Sequence, residues 1–296
     1  MAVKFRNKCS VLDFGEDYYK IRAFLIELKN PNYLFGRWDW MITHSHLDKT
    51  GLPAIGLWEE GGDIVALATY DCGLGSSYFC IKDNYSYLKQ EMLLYAKKSF
   101  GKNGEYQALI RDSDTSFQEI AAGLGFIATD NREHDAVYPI DLEAITYTLP
   151  VGFTITSMAE NYDYYKYKQV LWKGFNHELN GEGPFNPTKA QLAEEEIEMH
   201  RPNVNLDLKI AVVAPNGDFV SYCGMWYEPA SEYALVEPVA TDPAYRKLGL
   251  GRAAVLEGIK RCGLLGAKEA FVGSSQQFYY NIGFRPFSTS TWWREK

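Results

Sequence analysis

A strand, a tight turn with two glycines and a helix follow one another without a break in Val239-Ala240-Thr241-Asp242-Pro243-Ala244-Tyr245-Arg246-Lys247-Leu248-Gly249-Leu250-Gly251-Arg252-Ala253. Glycine removes a Cβ where backbone must come close to a ligand or take an unusual φ. The N–H groups of Lys247 to Arg252 face outward from a helix N-terminus. The partial positive charge there, with those donors, makes an anion site. Arg246, Lys247 and Arg252 add formal charge, and a pyrophosphate is the natural guest. A strand–helix turn that binds nothing is the plain alternative. Two phosphate motifs are excluded. Arg252-Ala253 follows the last glycine where a P-loop carries Lys and then Ser or Thr. Ala254 stands where a dinucleotide fold has its third glycine.

The elements around this turn alternate in type. A strand at 153–157 leads to an aromatic helix near 162–175 and a loop, His177-Glu178-Leu179-Asn180-Gly181-Glu182-Gly183-Pro184. Pro187 marks a helix start, with the helix running to about His200. Strands at 208–214 and 219–227 flank the turn Pro215-Asn216-Gly217, a hairpin signal, and 233–241 is the third strand. A helix from Gly249 carries Val255, Ile259 and Cys262 on one face and stops at Gly263. A strand at 270–272, a short helix at 276–282 and a strand near 287–293 finish the chain. Such an order is α+β, a mixed sheet covered by helices. With 296 residues and roughly 100–200 per domain, two domains are expected. Leu149-Pro150-Val151-Gly152 punctuates the chain, so the expected domains are 1–149 and 150–296.

The formal charge of −8 argues against nucleic acid, which needs a basic footprint, and leans toward a cationic or amine-bearing acceptor. Cys9, Cys72, Cys80, Cys223 and Cys262 are odd in number and contain no Cys-x-x-Cys, so neither a disulfide framework nor a zinc cluster is expected. The start, Met1-Ala2-Val3-Lys4-Phe5-Arg6, has no apolar leader, and no apolar run is long enough to span a bilayer. A reducing cytoplasm is the default. His44-Ser45-His46-Leu47-Asp48 imitates a metallohydrolase motif, but Lys49 follows where a histidine belongs. A polar loop is the preferred reading, with no metal. The oligomeric state is not readable.

Arg246-Lys247-Leu248-Gly249-Leu250-Gly251 resembles the acyl-CoA signature of the GNAT acyltransferases, Arg/Gln-x-x-Gly-x-Gly/Ala. Phe278-Tyr279-Tyr280-Asn281-Ile282-Gly283-Phe284 is similar to the second motif of that family, in which a Tyr stands four residues before a Gly-Phe pair. The resemblance implies acetyl-CoA as co-substrate and direct attack by a primary amine, on a small molecule or a peptide, in a ternary complex. It implies that 236–241 splays from the next strand, with backbone of Val239, Ala240 and Thr241 on the pantetheine and the turn, Arg246 to Arg252, on the pyrophosphate. Tyr279 matches the general acid for the departing thiolate; Tyr280 and a plain core aromatic are the alternatives. Glu237 lies two residues before Val239 and so on the same strand face, although Pro238 after it signals irregularity. It is the candidate base, directly or through water. His177 and Glu178 fall where the family shapes acceptor choice; for His177 a solvated loop residue is the preferred reading. The polar residue often found seven positions before the Tyr is Val272 here, and Ser274 or Ser275 is expected to supply its contact. A non-catalytic acyl-CoA sensor remains the rival.

The N-terminal half resembles a worn copy. Runs at 55–58 and 64–71 flank Glu59-Glu60-Gly61-Gly62, 78–81 leads to a helix near 86–99, and Gly123-Leu124-Gly125-Phe126 echoes the later Gly-Phe pair. By order, Ser86 stands for Arg246, Lys89 for Gly249, Glu91 for Gly251 and Ala121 for Tyr279. Loss of both glycines and gain of a carboxylate implies a half that does not bind CoA. The whole is similar to tandem GNAT proteins of the mycothiol synthase type, each domain a three-layer αβα sandwich.

Overall fold

The computed structural model describes residues 2–7, 12, 14–31 and 33–296. Met1 and Cys9, both used in the sequence reading, lie outside the described residues. The chain divides into two compact units, one of residues 1–136, 273–276 and 286–296, the other of 137–272 and 277–285.

In the first unit, β1 (Lys4–Arg6) is followed by α1 (Glu16–Leu28), α2 (Phe35–Thr43), β2 (Gly56–Glu60), β3 (Asp63–Asp71) and β4 (Gly73–Ile81). Then come α3 (Lys89–Phe100), β5 (Gln107–Arg111), α4 (Thr115–Gly123) and β6 (Phe126–Pro139), whose residues from Val137 belong to the second unit. Helix α1 buries Tyr18, Ile21, Phe24 and Leu25, a stripe at helical spacing. Strand β3 is buried from Ile64 to Tyr70, as befits an inner strand covered on both faces. Gly61 and Gly62 both take positive φ in the β2–β3 turn, the backbone that matches strand twist in a two-residue hairpin. Strands β4 and β5 are parallel but pair only at Ser76↔Gln107 and Ser77↔Ala108, after which they part.

The second unit contains β7 (Thr154–Ser157), α5 (Tyr164–Gly174), α6 (Lys189–Glu195), β8 (Lys209–Val213), β9 (Phe219–Tyr227), β10 (Tyr233–Thr241), α7 (Leu250–Leu264), β11 (Glu269–Val272) and α8 (Gln277–Ile282). Its strands run in the order β11-β10-β9-β8-β7. Asp163 caps α5 by accepting the Lys166 N–H at 2.9 Å, and Tyr164, Tyr167 and Val170 pack with Phe219 and Tyr222 of β9. The last strand, β12 (Arg285–Glu295), leaves this unit after Arg285 and runs antiparallel to β5, from Ser290↔Arg111 to Arg294↔Gln107. Each unit is a mixed sheet flanked by helices, the expected α+β class.

Some boundaries differ from expectation, each for a local reason. The helix expected from Pro187 begins at Lys189, because Thr188 and Gln191 form a reciprocal capping box; after Glu195 the chain tightens into a 3₁₀ turn to His200. Gly263 does not end α7. It is helical, and its missing Cβ makes room for Ile140, whose Cγ2 would lie 2.7 Å away; the left-handed residue is Gly266, with φ of 112°. The punctuation at Leu149-Pro150 falls inside the second unit, which takes in the chain from Val137.

Candidate functional site

Strand β10 sets the geometry. It is parallel to β11 through Tyr233↔Glu269, Ala234↔Ala270 and Leu235↔Phe271, and the ladder ends there. From Val236 onward β10 stays paired with β9 alone, so its other edge opens into a wedge. Between Val236 and Val239 the β9 pairing slips, and Glu237 and Pro238 form the irregular step. Strict alternation therefore does not carry from Glu237 to Val239; the irregularity expected from Pro238 does occur, across a cis Glu237–Pro238 bond.

Two residues that sequence reading missed hold this step. Trp226 Nε1 donates to the Glu237 carbonyl at 3.0 Å, and a Cβ on Gly224 would stand 2.5 Å from that same oxygen. A glycine opposite a proline-containing strand was the available signal. Gly174 at the end of α5 is a third, since a Cβ there would lie 2.6 Å from that of Ala240.

Beyond Thr241 the chain caps itself on buried Asp242, which accepts the Ala244 N–H at 2.9 Å and the Lys173 ammonium at 3.2 Å. Lys247 takes φ of 66° and Gly249 φ of 80°, which leads straight into α7. Among the described residues the N–H groups of Lys247, Leu248, Gly249, Leu250, Gly251 and Arg252 have no acceptor, whereas Ala253 N–H already reaches Gly249 O at 3.0 Å. Consecutive unpaired donors at a helix start attract an anion. A Cβ on Gly249 would meet nothing within 4 Å, so this side of the turn is open. Gly251 serves packing instead: its Cβ would press on Thr241 Oγ1 at 3.0 Å and Phe278 at 3.3 Å.

The charged side chains divide their tasks. Arg246 is a staple, donating to Thr241 O at 3.2 Å, Gly174 O at 2.8 Å and Asn176 Oδ1 at 2.7 Å. Arg252 reaches Thr146 O at 3.4 Å. Lys247 and Leu248 are exposed on the turn, and Leu250 is buried beneath it. Ala240 is buried, and its carbonyl accepts from Ser221 Oγ at 3.1 Å.

Tyr279 sits on α8 with 8% of its surface exposed, edge-on to Phe284 at 5.5 Å. Among the described residues its hydroxyl has no hydrogen-bond partner. Burial raises its pKa, and Cys223 and Glu237 raise it further. Tyr280, its neighbour, is half-buried. Ser274 lies in the 273–276 stretch that groups with the first unit, and its Oγ accepts the Gln276 N–H at 3.2 Å. His177 stacks on Trp172 with ring centres 4.2 Å apart and pairs through Nδ1 with Glu182 at 2.8 Å, which makes it a loop anchor.

The metallohydrolase-like stretch is a turn. His44 Nδ1 accepts the His46 N–H at 3.1 Å, and Asp48 accepts from Thr50 N at 3.2 Å. Among the described residues no three His, Cys, Asp or Glu side chains converge as metal ligands, and no helix is long and apolar enough to cross a membrane.

Residues 172–284 match the Acetyltransferase (GNAT) family. No curated protein matches the chain. Among solved structures, an N-acetyltransferase from Sphaerobacter thermophilus is similar with a TM-score of 0.60 at 15% identity, covering 99% of this chain and 95% of that one. A tandem GNAT protein from the clavulanic acid biosynthesis pathway gives 0.59 at 14%, covering 99% and 98%. Saccharomyces cerevisiae N-myristoyltransferase with bound myristoyl-CoA gives 0.55 at 11%, covering 99% and 78%. At these identities the likeness is one of fold.

Proposed function

We propose, from the match of residues 172–284 to the acetyltransferase (GNAT) family, that the chain is an N-acetyltransferase that moves an acetyl group from acetyl-CoA to a primary amine. The observation that carries this reading is the run of unpaired amides from Lys247 to Arg252 beside the open face of Gly249, at the foot of the β10 wedge. That cradle suits a pyrophosphate in size and sign. Lys247 adds charge at its rim. Arg246 supports it from behind, since its guanidinium already holds the turn to α5.

Acetyl-CoA supplies an activated thioester. What this chain contributes is position and proton handling. Backbone of Val239, Ala240 and Thr241 lines the wedge edge, and the Val239 N–H is the candidate donor to the thioester carbonyl, a preorganised contact of the kind that lowers acyl-transfer barriers. Glu237 takes the amine proton, directly or through water. Tyr279, kept neutral by burial, gives its proton to the leaving thiolate. The formal charge of −8 favours a cationic acceptor over an anionic one. Cys80, Cys223 and Cys262 are buried, in keeping with structural thiols, and the reading places the protein in a reducing compartment such as the cytoplasm.

A thiol-release assay with acetyl-CoA against a panel of small-molecule and peptide amines, with mass spectrometry of the products, tests the reading. Saturable acetyl-CoA binding with no thiol release on any amine would instead leave a sensor.

A further inference from the structure

The wedge of the first unit is not a copy of the one just described. Beyond Ser77↔Ala108, strands β4 and β5 separate, and the gap is bridged by one side chain: Asn30 Nδ2 donates to Phe79 O on β4 at 3.0 Å, while Asn30 Oδ1 accepts from Arg111 Nη2 on β5 at 2.7 Å. Asn30 thereby takes up a backbone carbonyl that a ligand threaded along β4 would need. At the start of α3, Lys89 is turned inward, 8% exposed, with its ammonium on Asp114 at 2.7 Å and Ser116 at 2.8 Å. Glu91 accepts the indole N–H of Trp58 at 2.8 Å. Side-chain pairs, not free backbone donors, mark this end of the wedge.

The wedge is nonetheless hollow. A cavity of about 370 Å³ remains in it, within the range of small-molecule sites. Phe79, Ile81, Leu109 and Phe117 wall it with apolar surface. Lys29, Lys82, Asp83, Lys89, Arg111 and Asp114 bring charge to its wall. Lys89 is neutralised by Asp114, and Lys82 by Glu27 at 2.8 Å. Arg111 is half-buried and makes no ion pair among the described residues; its side-chain partner is the neutral Asn30 amide. Asp135 feels the Arg111 charge through space but accepts from Ser288 Oγ at 2.7 Å. A guanidinium fork with donors to spare, at the edge of an apolar hollow, is complementary to a carboxylate.

We propose that this cavity is a binding site for a small carboxylate with an apolar body, its carboxylate on Arg111 and its hydrocarbon among Phe79, Leu109 and Phe117. The site stands apart from the acetyl-CoA reading, which concerns the second unit.

Methyl-labelled full-length protein, saturated with acetyl-CoA to fill the other site, is titrated with hexanoate and separately with neutral hexanamide. The expected result is saturable hexanoate shifts at the Ile81 and Leu109 methyls, and none with hexanamide at equal concentration. Arg111→Gln should weaken hexanoate at least about tenfold, from loss of a charge-assisted bond. Equal shifts from hexanamide, absence of saturable shifts, or hexanoate displaced by acetyl-CoA would each overturn the proposal. So would unchanged affinity in folded Arg111→Gln. If that variant does not fold, the hexanoate–hexanamide comparison on the unmodified chain decides.

Discussion

The indole N–H of Trp226 and the carbonyl of Glu237 meet at 3.0 Å, and that bond holds the slipped step of β10 against β9. Gly224, on the same strand as Trp226, leaves the space into which the Glu237 carbonyl fits. Gly224→Ala should therefore push the step outward. Overpacking of this kind costs about 1–3 kcal/mol, and turnover should fall along with Tm because the Glu237 carboxylate moves with its backbone. Trp226→Phe, which keeps the ring and drops the donor, should lower turnover with a smaller change in Tm. Unaltered activity in both would show that the step does not position Glu237 for chemistry.

Gly249→Glu should abolish acetyl-CoA binding while the protein stays folded. A side chain at φ of 80° costs about 1–2 kcal/mol, and Lys247 next door already tolerates φ of 66°. Gly249→Ala is the control. It carries the same backbone cost, yet its Cβ meets nothing within 4 Å, so binding should survive. Calorimetric titration with acetyl-CoA separates the two, and equal affinities in both variants would remove the turn from the cofactor site.

Tyr279→Phe should reduce turnover by roughly 10²-fold, the lower end for a positioned proton donor, with acetyl-CoA affinity nearly unchanged. Burial and the neighbouring Glu237 keep the hydroxyl protonated, so no alkaline loss of rate below about pH 10 should trace to Tyr279. Tyr280→Phe should be silent, because successive helical residues point about 100° apart. A reversed pattern would shift the general acid by one residue; two silent variants would hand the proton to water.

Asp135 gives a pH signature in the first unit. Burial, outweighing the Ser288 hydrogen bond, raises its pKa from 3.8 to about 6. The folded form thus binds its proton more tightly than the unfolded one. Its contribution to stability is fully present below pH 3.8 and is lost as pH rises through 6. The loss is up to about 3 kcal/mol. Asp135→Asn keeps an acceptor for Ser288 and removes the titration. Its stability relative to the parent should therefore rise between pH 4 and 7, as read from urea unfolding at each pH. A constant difference would place the raised pKa elsewhere.

How much of this was legible beforehand differs between the strands and the site. Strand and helix identity along the second unit followed from apolar spacing, and the turn at Gly249 from its glycines. The wedge edge of β10 was implied only by resemblance. What stayed hidden depends on contacts between distant residues. Gly224 looks like any strand glycine until Glu237 is laid opposite it. The charge of Arg246 suggests a phosphate ligand until Gly174 and Asn176 are found holding it. Periodicity marks β12 as a strand but says nothing about which neighbour it pairs with, and its partner, β5, is about 180 residues away, as the Ser290↔Arg111 pair illustrates.

That last pairing has a consequence for synthesis and for gene architecture. The first unit needs residues 286–296, about 180 residues downstream of their partners in β5, so its sheet cannot close until that segment has been made. A chain cut before residue 286 would lose part of the opening half's own sheet. A split gene cut at Leu149-Pro150 would deliver neither unit whole. The opening half of the chain thus depends for its fold on residues from the closing half.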